Sequence, residues 1–82
     1  DVLLMIEVAD TTLTFDRTTK LNLYARAGIA ECWIVNLQSR CIEVYREPTA
    51  EGYSNKVDFQ IGETVSPQAL PAVHLAVTEI FA

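Results

Sequence analysis

Along the first stretch of the chain, Val2, Leu4, Ile6 and Val8 alternate with Leu3, Met5, Glu7 and Ala9, so a strand here is apolar on both faces except at Glu7. Such a strand belongs in the middle of a sheet, and its uncovered side calls for a longer chain or a partner copy. The N-terminal part of the domain is therefore expected to be missing. Asp10-Thr11-Thr12-Leu13-Thr14 follows with turn and capping chemistry, and predicts a helix over residues 15–27 with Thr14 as its N-cap and Gly28 as its stop. Lys20, Tyr24 and Ala27 share one stripe of that helix, which puts Lys20 on a partly buried face.

The period then shortens to two. Cys32-Trp33-Ile34-Val35-Asn36-Leu37 and Cys41-Ile42-Glu43-Val44-Tyr45-Arg46 are rich in β-branched and aromatic residues and predict a hairpin turning near Gln38-Ser39-Arg40. That turn sets Cys41 opposite Asn36 rather than opposite Cys32, leaving two free thiols. A loop through Pro48 and Gly52 leads to a strand over 53–59 and a short one at Thr64 and Val65. After the breaks at Pro67 and Pro71, a last strand is expected over 73–77, with Thr78 capping one helical turn through Phe81. No repeat, linker or shift in composition divides the 82 residues, which read as one domain.

Composition narrows the function classes. The net charge of −5 and pI near 4.6 leave no basic footprint for a phosphate backbone within this segment. The longest apolar stretch is too short for a bilayer and nothing resembles a signal peptide, so the cytoplasm is the default location. Cys32 and Cys41, without a neighbouring histidine, read as small buried hydrophobes rather than a zinc or thiol-catalytic site.

Chemistry concentrates at Glu7. A carboxylate inside an apolar strand costs several kcal/mol unless it is protonated, paired or metal-bound. Glu7 lies roughly 7 Å before the end of its strand. Lys20 lies roughly 7 Å into the helix that returns alongside. The two come level. They form either a structural salt bridge or a metal-binding glutamate beside a lysine that orients water, and the second reading needs a further carboxylate to hold an ion such as Mg²⁺. Asp1 shares the face of Glu7 but lies roughly 20 Å away along an extended strand. Asp10 and Asp16 are nearer, in positions that suit capping and the helix dipole. His74 stands alone, and Trp33, Tyr45, Tyr53 and Phe59 read as sheet packing. There is no phosphate-cradling glycine loop and no nucleophile elbow.

Taken together, Leu4-Met5-Ile6-Glu7-Val8, Asp16-Arg17-Thr18-Thr19-Lys20, Tyr24-Ala25-Arg26-Ala27-Gly28-Ile29, Glu31-Cys32-Trp33-Ile34-Val35 and Val44-Tyr45-Arg46 resemble the Uma-two restriction endonuclease family of the PD-(D/E)XK superfamily. Leu70-Pro71, Leu75 and Phe81 resemble that family's end. The resemblance implies the C-terminal part of a single α/β domain, a restriction-endonuclease-like mixed sheet with a helix after the first strand, truncated at the N-terminus. It implies Glu7 as catalytic and metal-binding, the main-chain carbonyl of Val8 as an extra metal ligand, and Lys20 as the catalytic lysine, moved from the strand position now held by Ala9. The implied cofactor is Mg²⁺ and the implied partner DNA, for a full-length parent, with a homodimer left open and no membrane. The family's Pro-Asp motif, which supplies the second carboxylate, is absent from these residues, so the fragment itself is expected to be inactive. Cys32 stands for the usual tyrosine and Asn36 for a frequent aspartate. The alternative is a non-catalytic remnant or protein-interaction module in which Glu7 and Lys20 form a structural ion pair.

Overall fold

The computed structural model describes residues 2–9 and 17–81. Among the described residues six strands and two helices run in the order β1 (Met5–Ala9), α1 (Arg17–Arg26), β2 (Glu31–Asn36), β3 (Cys41–Thr49), β4 (Gly52–Gln60), β5 (Thr64–Val65), β6 (Leu75–Ala76) and α2 (Val77–Ile80). The first four strands form one mixed sheet in sequential order. β1 and β2 are parallel, a pairing that needs a crossover such as the one through α1, whereas β2–β3 and β3–β4 are antiparallel hairpins. The fold is the mixed α/β arrangement expected, with its helix directly after the first strand.

Each face of the sheet has its own core. On one, α1 lays Leu21 and Ala25 against the sheet, where Leu21 clusters with Ala9, Cys32, Ile34 and Tyr45. On the other, Val65 of β5 and Val77 of α2 close over Trp33, Ile42 and Val44. Burial of these aliphatic and aromatic side chains is the main favourable contribution to folding. The aromatics are sheet packing as expected: Trp33 is buried, and the rings of Tyr45 and Tyr53 meet at 6.2 Å in a tilted pair.

Several local expectations shift. The first strand begins at Met5 rather than at the start of the chain, because its register, Met5 to Cys32, exhausts β2 one residue upstream. It is also an edge rather than a central strand among the described residues. Ile6 and Val8, 51% and 58% exposed, stay uncovered because the β5–β6–α2 segment closes over β2 and β3 instead. The hairpin register is as read, with Asn36 opposite Cys41, and both cysteines are buried free thiols. β3, however, runs on through Pro48 to Thr49 rather than stopping at Arg46. Its partner starts at Gly52, whose φ of +126° disfavours any side chain; an added Cβ would also lie 2.8 Å from Asn22 Oδ1. The final strand shrinks to two residues, and Ala76 rather than Thr78 occupies the N-cap of α2. Gly28, at φ +77°, ends α1 as predicted, its N–H and that of Ile29 closing on the carbonyls of Ala25 and Tyr24. The expected cap Thr14 and the helix start at Phe15 lie outside the described residues. None of the described helices is long and apolar enough to cross a membrane.

Candidate active site

Glu7 sits at the middle of β1, facing α1. Lys20 and Tyr24, one turn apart on that helix, both reach it: Lys20 Nζ lies 3.3 Å from Glu7 Oε2, and Tyr24 Oη donates a hydrogen bond to the same oxygen. Sequence spacing anticipated the meeting of Glu7 with Lys20; it placed Tyr24 on the same stripe without assigning it a contact. Oε1 of Glu7 accepts no hydrogen bond from the described residues.

The carboxylate is less buried than a two-sided apolar strand suggests. Its side chain is 24% exposed and that of Lys20 47%, since β1 lies at the edge of the described sheet. A pair this accessible contributes about 0.2–1 kcal/mol. Stability alone is a weak reason for a glutamate at this position. The hydrogen bond from Tyr24 lowers the Glu7 pKa below the ordinary carboxylate value; partial burial acts the other way, and the hydrogen bond and charge of Lys20 add to the lowering. Glu7 is therefore anionic at neutral pH. The same contact pushes the Tyr24 hydroxyl up to about 12, with burial as the second cause, so Tyr24 stays a donor.

Sequence reading missed two other strand glutamates. Glu43 of β3 lies in the same cross-strand row and on the same face as Glu7, with Ile34 between them. It is almost fully buried and accepts from Arg17 Nη2 at 3.1 Å, Asn36 Nδ2 at 3.0 Å and Tyr45 Oη at 2.7 Å. On the opposite face, Glu31 accepts from Trp33 Nε1 at 2.8 Å, from Arg46 Nε at 2.9 Å and from the Gln68 N–H at 2.7 Å. The signal was available. Both are charges within apolar runs, the argument that singled out Glu7.

The remaining candidates separate cleanly. Val8 turns its side chain to the face opposite Glu7, so only its main chain could share an ion with that residue. Asp1, Asp10 and Asp16 lie outside the described residues. His74 is exposed and its Nδ1 is 3.0 Å from Ser66 Oγ, far along the chain from the Glu7 strand. The Cys32 thiol is pushed up to about 12 by burial, then by the charge of Glu7, which keeps it protonated and unreactive.

Among the described residues no group of three or more histidine, cysteine, aspartate or glutamate side chains is placed to hold a metal. The donor chemistry at Glu7 nevertheless suits one kind of ion. An anionic carboxylate with an open oxygen is a hard ligand, and Mg²⁺ is held by as few as one or two carboxylates together with waters and substrate phosphates.

The fold has a counterpart among solved structures. The crystal structure of a putative nuclease belonging to DUF820, from Anabaena variabilis ATCC 29413, aligns with a TM-score of 0.70 at 21% identity. The alignment covers 95% of this chain and 42% of that one, so the chain spans less than half the length of its structural counterpart. No curated protein matches the chain. The sequence pattern of Uma2, a family described as "Putative restriction endonuclease", matches residues 1–78, in which the apolar strand, the helix with Lys20 and Tyr24, and the hairpin all fall. The chain belongs to the Uma2 family.

Proposed function

We propose that this chain carries part of the active site of a Mg²⁺-dependent endonuclease that hydrolyses phosphodiester bonds in DNA, with Glu7 and Lys20 as its catalytic residues. The observation that carries the reading is the asymmetric loading of Glu7: among the described residues its two donors are both on Oε2, and none is on Oε1. Glu7 Oε1 and the main-chain carbonyl of Val8 would hold the ion, which when bound polarises a phosphate oxygen and lowers the pKa of its water. Lys20, half exposed and 3.3 Å from Glu7 Oε2, presents a cation that can orient a water or meet the negative charge developing on phosphorus. Tyr24 holds the carboxylate in one rotamer by occupying the other oxygen. Membership of the Uma2 family supports the same reaction class and a DNA substrate.

The test is Mg²⁺-dependent DNA cleavage by the full-length protein. Glu7→Ala and Lys20→Ala are each expected to lower kcat by about 10²-fold or more, the scale of removing a positioned acid–base or electrostatic group. Cleavage unchanged by both substitutions, or none by the folded wild type, would favour the other reading. In that reading Glu7 and Lys20 are a structural ion pair in a non-catalytic interaction module, comparable to Arg17–Glu43 and Arg46–Glu31.

A further inference from the structure

Arg17 and Lys20 lie three residues apart on α1 and so project from one side of the helix. Each reaches a glutamate of the same cross-strand row, Arg17 to Glu43 on β3 and Lys20 to Glu7 on β1. The two contacts differ in kind. Glu43 is held from three sides, by Arg17, by Tyr45 and by Asn36, and its side chain is only 6% exposed. Asn36 is fixed in turn, its Oδ1 accepting the Ser39 N–H at 3.0 Å in the β2–β3 turn. The Lys20–Glu7 contact is exposed, and lysine is a flexible four-carbon stem that a surface ion pair immobilises poorly.

We infer that Arg17 and Glu43 are positioning residues for the candidate site: the Arg17–Glu43 clamp sets the rotation of α1 on the sheet and thereby holds Lys20 at Glu7. The inference rests on the reading of Glu7 and Lys20 as the catalytic pair. Through Asn36 and Tyr45 the clamp ties the first described turn of α1 to the rigid β2–β3 hairpin. A rotation of the helix would move the root of the Lys20 side chain and lower the share of its conformations that reach Glu7; Leu21 and Ala25 pack against the sheet without directional bonds that fix that rotation. Tyr24, one turn further on, would lose the same carboxylate oxygen.

The chain provides its own control, because its lysines are Lys20 and Lys56 alone. Lys56 pairs with Asp58 at 3.4 Å on β4 with a side-chain exposure of 48%, nearly that of Lys20. Replacing the buried Glu43 endangers the fold, so Arg17, with a side chain 39% exposed, carries the experiment. In the full-length protein, Arg17→Met and Arg17→Lys are compared with wild type by reductive methylation with formaldehyde and by DNA cleavage. Folding is checked by circular dichroism, and methylation of each lysine of this segment is read by mass spectrometry. The expected result is a Lys20-to-Lys56 reactivity ratio raised about two- to fivefold by Arg17→Met, the weight of an exposed pair. A fall in kcat of about tenfold with KM for DNA unchanged should accompany it, and Arg17→Lys should restore most of both. An unchanged ratio in folded Arg17→Met overturns the inference. A raised ratio in a protein whose wild type cleaves no DNA overturns the catalytic reading instead, and leaves the clamp as the anchor of Lys20.

Discussion

Glu7 and Glu31 lie on adjacent parallel strands of one sheet, on opposite faces, and they have opposite fates. Glu31 is 1% exposed, and both its oxygens are taken, Oε2 by Trp33 and Arg46 and Oε1 by the Gln68 N–H. Arg46 continues to the carbonyl of Ser66 at 2.9 Å, so this carboxylate ties the C-terminal segment to the sheet. Glu7 has a hydrogen-bonded oxygen and one that no described residue donates to, beside a half-exposed cation. The difference teaches how to separate a structural carboxylate from a chemical one. Burial and a charged partner are common to both, and spare coordinating capacity is not. By that measure Glu43, with its two oxygens filled from Arg17, Asn36 and Tyr45, belongs with Glu31 although it shares the face of Glu7.

The comparison can be broken most directly by deletion. Glu31→Ala takes the acceptor from the partly exposed Arg46 guanidinium, the buried Trp33 indole N–H and the Gln68 main-chain N–H, and is expected to lower stability by about 3 kcal/mol in denaturant titrations. Glu7→Ala, in the same experiment, is expected to cost about 1–2 kcal/mol, the sum of an exposed ion pair and one hydrogen bond. Equal losses would erase the distinction.

A finer version removes a single hydroxyl on each side of the line. Tyr45→Phe leaves the buried Glu43 Oε1 without a donor, at an expected cost of about 1–3 kcal/mol. Tyr24→Phe takes the donor from an oxygen that water can reach, and should cost about 0.5–1.5 kcal/mol. A larger loss at Tyr24 than at Tyr45 would mean that Glu7 is the more deeply structural of the two.

The effect that vanishes at neutral pH is a pH dependence next to Glu7. The Cys32 thiol has its pKa raised from 9.0 to about 12, by burial first and the Glu7 charge second. A raised pKa means that the folded state keeps a proton the unfolded chain releases, so the contribution is present in full below pH 9 and is lost as pH rises towards 12. Stability should therefore fall across that interval, and Cys32→Ala should fall less steeply. Parallel curves for the two proteins would show that the thiol is not shielded as the structure places it.

The local elements were largely legible because the interactions that set them are local. The Gly28 stop, the β2–β3 register with Asn36 opposite Cys41, and the free cysteines all follow from turn chemistry and alternation over a few residues. Legibility failed where distant chain segments compete for one surface. Both faces of the first strand are apolar, but the segment around Val65 and Val77 covers β2 and β3 and leaves Ile6 and Val8 open. Glu43 and Glu31 escaped notice for a related reason. Their satisfaction depends on Arg17, 26 residues away from Glu43, and on the Gln68 N–H, 37 residues away from Glu31.

By itself the sequence determined that Glu7 stands as a charge in an apolar strand and that Lys20 returns level with it, since a strand rises and a helix climbs by known amounts per residue. Tertiary structure alone decided which of Glu7, Glu31 and Glu43 keeps an oxygen open among the described residues. That choice depends on how many donors converge on each carboxylate, and the donors come from elements that meet only once the sheet has formed and α1 has settled on it.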